Sequence, residues 1–198
     1  MSPAIKLALG VLAFAVLVVL TSRVIRARNR PQTPNSSSRK DVYLGLRNKI
    51  LLLLPEKCGL PPTAAPTEPC AVLMDWGVNN GTATVVAVAD GTVSIYLSSG
   101  GGSIGGGQGN AAIHEAGQKF LSLARESLPR MQKTAEYPLP DKKQVYFYVC
   151  TKAGVFTART SEEELNSRSH PLRALGDAAQ EIITQYRQVQ PVGRLRAR

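Results

Sequence analysis

Seven glycines crowd the stretch from Ser98 to Asn110, and within it Gly100-x-Gly102-x-x-Gly105 has the spacing of a dinucleotide-binding turn. In that chemistry the glycines let a pyrophosphate approach the backbone at the N-terminus of a helix. The unit is a parallel βαβ, and an acidic residue at the end of the next strand holds the ribose. Here the context differs. The strand before the loop closes an antiparallel hairpin at Asp90-Gly91, and roughly 20 residues beyond the glycines lies the body of a helix instead of a strand end. A phosphate-binding P-loop is excluded more simply, because Gly106 and Gly107 stand where its lysine and its serine or threonine belong. What survives is a run of unobstructed backbone N–H groups at Gly100, Gly101, Gly102, Ser103, Gly105, Gly106 and Gly107, leading into a helix with His114 in its first turn. Such a run suits a phosphate, a small anionic ligand or a closely approaching partner backbone. The competing reading is a mobile connection.

The remaining chemistry-bearing residues are sparse. Two histidines and three cysteines show no metal spacing, and no cofactor is implied. Cys150 with His114 or His170 can be written as nucleophile and base, but a cysteine closing an apolar strand ordinarily packs. Asp75, beside Trp76 near a strand end, is the most unusual polar residue in an apolar run, and pairing within the hairpin turn accounts for it. An odd, small set of cysteines points to a reducing compartment; Cys58 and Cys70 flank a proline-rich loop and would pair if the domain were exported.

The net charge of +10 raises the question of a nucleic-acid partner. Its distribution answers against one. Lys6, Arg23, Arg26, Arg28, Arg30, Arg39 and Lys40 precede the first acid, and Arg194, Arg196 and Arg198 end the chain; between them 14 basic residues balance 14 acidic ones. The basic ends suit anionic phospholipid instead. Leu7 to Leu20 is an unbroken apolar run, which with its flanks over residues 1–28 is expected to form a single-pass signal-anchor helix. Arg23, Arg26, Arg28 and Arg30 would lie at the membrane surface and hold the following domain in the cytoplasm, with export after signal cleavage as the alternative.

The elements needed to place these residues follow from periodicity. Residues 29–40 are polar, proline- and serine-rich, and read as a flexible tether; residues 41–189 form one domain, and residues 190–198 a basic tail. Asp41 is placed to cap a first helix bearing Tyr43, Leu46, Ile50, Leu53 and Leu54. A proline-rich connection then leads to a three-strand meander over Ala71–Trp76, Thr82–Ala89 and Thr92–Leu97. After the glycine loop, Ile113, Ala116, Phe120, Leu123, Ala124 and Leu128 make one helical stripe. Two further strands, Val145–Cys150 and Val155–Ala158, precede a capping box at Ser161 and Glu164 and a last helix opened by His170-Pro171. Strands in adjacent runs joined by tight turns predict an α+β domain: a five-stranded antiparallel sheet, three strands then two, with helices layered on it.

This layout resembles the roadblock and profilin-like group of small α+β modules, which place helices on both sides of a five-stranded antiparallel sheet and often act as regulatory or dimerising scaffolds. The roadblock order has two strands before the central helix and three after, the reverse of this chain. The expectation is a noncatalytic, membrane-tethered module that binds a protein partner or itself. The alternative is a small-ligand or phosphate-binding sensor, or an enzyme, using loop 98–110.

Overall fold

The computed structural model describes residues 36–189. The expected anchor with Arg23, Arg26, Arg28 and Arg30, most of the tether, and the basic tail lie outside the described residues. Among the described residues no helix is long and apolar enough to cross a membrane.

Seven antiparallel strands form one sheet: β1 (Ala71–Val78), β2 (Gly81–Val88), β3 (Val93–Leu97), β4 (Gly102–Ser103), β5 (Gln132–Thr134), β6 (Gln144–Thr151) and β7 (Gly154–Ser161). Their spatial order is β4-β3-β2-β1-β6-β7-β5. The five long strands are those expected, and β4 and β5 are additions that cap the two edges. Neither carried a signal, since two or three residues are too few to show alternation and both are set by backbone pairing alone. Short edge strands of this kind also shield a sheet from pairing with other chains.

The meander forms for local reasons. Gly91 adopts φ 88°, which only glycine takes without strain, and the Asp90 carboxylate accepts the Thr92 N–H at 2.8 Å, closing the turn. Alternation along each strand then supplies two apolar faces. On one face Val72, Met74, Val85, Ala87, Val93, Phe147 and Val149 pack against α2 (Ala111–Ser127) and α4 (Arg173–Val189). On the other, Ala71, Leu73, Val86, Val88, Tyr96, Tyr148 and Cys150 pack against α1 (Ser36–Leu51) and the chain that follows it. The central strands are therefore covered on both sides, with α1 alone as the long helix on its face.

The four-residue α3 (Glu162–Leu165) opens with the expected capping box: Ser161 Oγ accepts the Glu164 N–H while the Glu164 carboxylate accepts the Ser161 N–H at 3.0 Å. Helix α1 differs from expectation at its start and on its face. It begins at Ser36, taking in residues assigned by composition to the tether, so Asp41 lies inside it and does not cap it. Its buried positions are Tyr43, Arg47 and Leu51, a four-residue repeat that includes a charged residue, while Leu46, Ile50 and Leu53 flank it half-buried.

Of the two cysteine alternatives, the structure has the paired one. Cys58 and Cys70 form a disulfide, with Cα atoms 5.5 Å apart, and both are buried in the α1-side core. The connection between them is held rather than loose. The Lys152 ammonium donates to the carbonyl oxygens of Pro61, Pro62 and Ala64 at 3.4, 2.8 and 3.1 Å, and Arg125 pairs with Glu68 at 2.7 Å. These contacts fasten the intervening loop to α2 and to the β6–β7 turn, which cysteine count alone does not reveal.

Candidate functional site

The glycine loop is folded back onto its own domain. Gly100, Gly101, Gly102 and Gly105 take φ of 103°, 90°, 142° and 72°, so the sequence needs glycine there. Gly102 and Ser103 pair with Tyr96 and Ile95, and a Cβ at Gly102 would overlap the Ile95 carbonyl. Beyond them the backbone rises toward α4. The Gly105 N–H donates to Ser94 Oγ at 3.2 Å, and the Gly106 N–H to the Tyr186 hydroxyl at 3.0 Å. That hydroxyl in turn donates to the Val93 carbonyl at 2.6 Å, bridging loop, strand and helix. A Cβ at Gly106 would strike the Tyr186 ring, and one at Gly107 the Gly91 carbonyl. With the Gly100 N–H donating to the Leu97 carbonyl at 2.9 Å, at least three of the N–H groups available to an anion are already used.

The helix start behind the loop is likewise occupied by its own cap. Asn110 Oδ1 accepts the Ile113 N–H at 3.1 Å, and the Asn110 carbonyl accepts the His114 N–H at 3.0 Å. His114 is exposed, with its ring beside Gly91, whereas Tyr96 is buried in the core on the α1 side. The structure does not bring His114, Tyr96 and the loop glycines together around one concavity.

The polar centre of the molecule lies elsewhere, under α1. Arg47 donates from Nε to Asp75 Oδ2 at 2.8 Å, its second nitrogen lies 2.6 Å from the same oxygen, and both residues are almost wholly buried. Two further donors reach the Tyr137 and Pro138 carbonyls at 3.0 and 3.3 Å, and the guanidinium lies 5.2 Å from the Tyr148 ring centroid. The Thr84 hydroxyl donates to Asp75 Oδ1 at 2.5 Å. With its one hydrogen spent there, Thr84 must accept from the Tyr43 hydroxyl at 2.8 Å, so protons point in series from Tyr43 through Thr84 to the carboxylate.

Burial pushes the Asp75 carboxyl above its ordinary value, with Arg47 and Thr84 pulling the other way. Burial also works against the Arg47 charge, but the attraction and hydrogen bond of Asp75 outweigh it and hold the guanidinium above its usual value. Tyr43 is pushed up to about 12, chiefly by burial and then by the Asp75 charge. Every member is satisfied and closed from solvent, which suits a structural lock between helix and sheet. Asp75 is therefore paired not within the hairpin turn, as expected, but across the strands with Thr84, and also with a helix residue that the sequence reading missed. The available signal was position: Arg47 falls four residues from both Tyr43 and Leu51, inside an apolar stripe.

The nucleophile arrangement is not assembled. Cys150 is a buried free thiol in the α1-side core, pushed up to about 12 by burial, while His114 stands exposed on α2. His170 engages Thr160 Oγ1 at 3.2 Å, and its Nδ1 accepts the Leu172 N–H at 3.2 Å. Among the described residues no group of three His, Cys, Asp or Glu side chains could hold a metal.

Among the described residues, two open polar grooves stand out. One, of about 520 Å³, lies at the β5–β7 edge between Arg130, Lys133, Arg159 and His170. The other, of about 610 Å³, lies where α1 begins, between Arg39, Lys40 and Lys142. The chain matches no family model, no curated protein and no solved structure.

Proposed function

We propose that this chain is a noncatalytic, membrane-tethered module that binds a protein partner or a second copy of itself through the outer side of α1. The observation that carries this reading is a contrast around that helix. Its inner side commits every potentially reactive group, Tyr43, Arg47, Asp75 and Thr84, to packing, while Val42, Leu52 and Leu54 on and just after it stand 61%, 69% and 55% exposed. Large apolar side chains exposed on this helix and on the turn that follows it are suited to a partner's apolar surface.

The tether part rests on the apolar run at residues 7–20 and the basic residues after it. Charge asymmetry supports a cytoplasmic domain, and the buried disulfide supports the exported alternative. Labelling of a cysteine introduced in the tether, on intact against permeabilised membranes, decides between the two sides.

For the binding surface, a photo-crosslinking residue placed at Val42 or Leu52 of the full chain in its membrane is expected to give discrete adducts. With the crosslinking residue at Val42, Leu52→Lys combined with Leu54→Lys is expected to abolish the adducts while leaving thermal stability unchanged. If no adduct forms at either position, or if adducts persist in the double variant, the outer side of α1 is not the binding surface.

A further inference from the structure

We propose that the groove where α1 begins binds the phosphomonoester headgroup of a membrane lipid, an inference that rests on the membrane-tethered reading above. Three cations, Arg39, Lys40 and Lys142, surround it with a single acid, Asp141, and Asn80, Ser98 and Ser99 add neutral polar groups. At about 610 Å³ it has room for a headgroup and its glycerol stem.

Both walls of the groove are built into the fold. On one side, the loop carrying Lys142 is drawn onto β1: Lys143 donates its N–H to the Gly77 carbonyl at 2.8 Å, and Gln144 donates to the Asp141 carbonyl at 3.0 Å. A Cβ at Gly77 would overlap the Asp141 carbonyl oxygen, so glycine is what lets the loop sit this close. Lys143 takes φ 65°, the one positive value outside glycine among the described residues, and this turn sets Lys142 at the rim. On the other side, Arg39 donates to the Ser99 carbonyl at 3.4 Å and lays its side chain beside Gly100. Between the walls, Ser98 Oγ accepts the Thr82 N–H at 2.8 Å, which leaves its own hydrogen to donate outward.

A phosphomonoester presents close to two negative charges and three terminal oxygens at neutral pH, matching clustered cations and a hydroxyl donor better than the single charge of a diester headgroup. The lipid source follows from chain order. Arg39 and Lys40 continue in sequence the basic series Arg23, Arg26, Arg28 and Arg30 that follows the apolar run, and both line the groove.

The test uses the full chain reconstituted in phosphatidylcholine nanodiscs carrying either phosphatidate or, at matched total charge, phosphatidylserine, read by amide hydrogen exchange. Phosphatidate is expected to slow exchange at least fivefold over residues 79–82, 98–100 and 139–143. The protection should vanish in Lys40→Ala with Lys142→Ala and persist when Arg23, Arg26, Arg28 and Arg30 are all changed to Gln. Equal protection by both lipids, or protection that follows the arginine flank and not the groove, overturns the proposal.

A second arm titrates the chain in neutral detergent with glycerol 3-phosphate and with inorganic phosphate. Tighter binding of glycerol 3-phosphate, weakened at least tenfold in the double lysine variant, supports the headgroup. Equal or tighter binding of inorganic phosphate assigns the groove to a free anion and overturns the lipid source, and absence of binding overturns the site. Failure of the chain to insert in nanodiscs would defeat the tether alone, since the detergent arm still decides the groove.

Discussion

Arg47 and Asp75 carry opposite charges into an interior where each is the other's counter-charge. Removing one partner strands a buried charge, and the usual cost is about 3–5 kcal/mol. Arg47→Ala is therefore expected to lower the urea unfolding midpoint sharply. Arg47→Met combined with Asp75→Leu should recover much of the loss, though not all, because Thr84 then loses its acceptor. If the double variant is no more stable than Arg47→Ala, stranded charge is not the main cost.

The buried acids make a second prediction. Tyr43 and Tyr148 are pushed up to about 12 from 10.0, and Cys150 to about 12 from 9.0, in each case mainly by burial. The unfolded chain releases these protons at the ordinary values while the fold retains them. Their contribution to stability is thus complete below about pH 9 and drains away between about pH 9 and 12. Denaturant titrations across that range should show a decline, delayed in Cys150→Ala and shallower above about pH 10 in Tyr43→Phe. Identical pH profiles for wild type and Cys150→Ala would remove the thiol from this account.

At this scale the sequence was half legible: Asp75 stood out because a carboxylate interrupts an apolar strand. Arg47 did not, because arginine on a helix ordinarily reaches water and only its four-residue spacing from Tyr43 and Leu51 betrays it.

Among the elements, the Tyr186 hydroxyl fastens the loop between β3 and α2 at Gly106. Tyr186→Phe leaves the Gly106 N–H and the Val93 carbonyl without that partner. The expected cost is about 1–3 kcal/mol, with hydrogen exchange accelerated over residues 103–108 more than in α2. Uniform acceleration across the domain would mean that the loop has no separate stability of its own.

The proline-rich connection yields a covalent test. Denatured without reductant, the chain is expected to present one thiol, Cys150, and after reduction three. Replacing Cys58 and Cys70 by serine should cost about 3 kcal/mol, the value for loops of this order. Three thiols without reductant would return the domain to a reducing compartment.

Long strands and helices were readable because alternation and the 3.6-residue period accumulate over many positions. The capping box at Ser161 and Glu164 was readable because its mechanism is local. β4 and β5 were not, since nothing in Gly102-Ser103 or Gln132-Lys133-Thr134 differs from loop composition. The order β3-β2-β1-β6-β7 is likewise a matter of which strands meet across the central helix, and no local pattern encodes that.

For the whole molecule, the dominant asymmetry is between a charge-balanced domain and basic chain ends, so association with anionic surfaces should weaken with salt through the ends and through the groove at α1. The fastening of α1 has a further, mechanical consequence. A pull applied through the residues before Ser36 travels along α1 to Tyr43 and Arg47 and enters the sheet at Thr84 and Asp75. Those residues lie on β2 and β1, each flanked by strands on both sides, and not on the short edge strands. The load is therefore shared by the middle of the sheet, where strands must shear past two neighbours, and the edges that would peel open first are left unstressed.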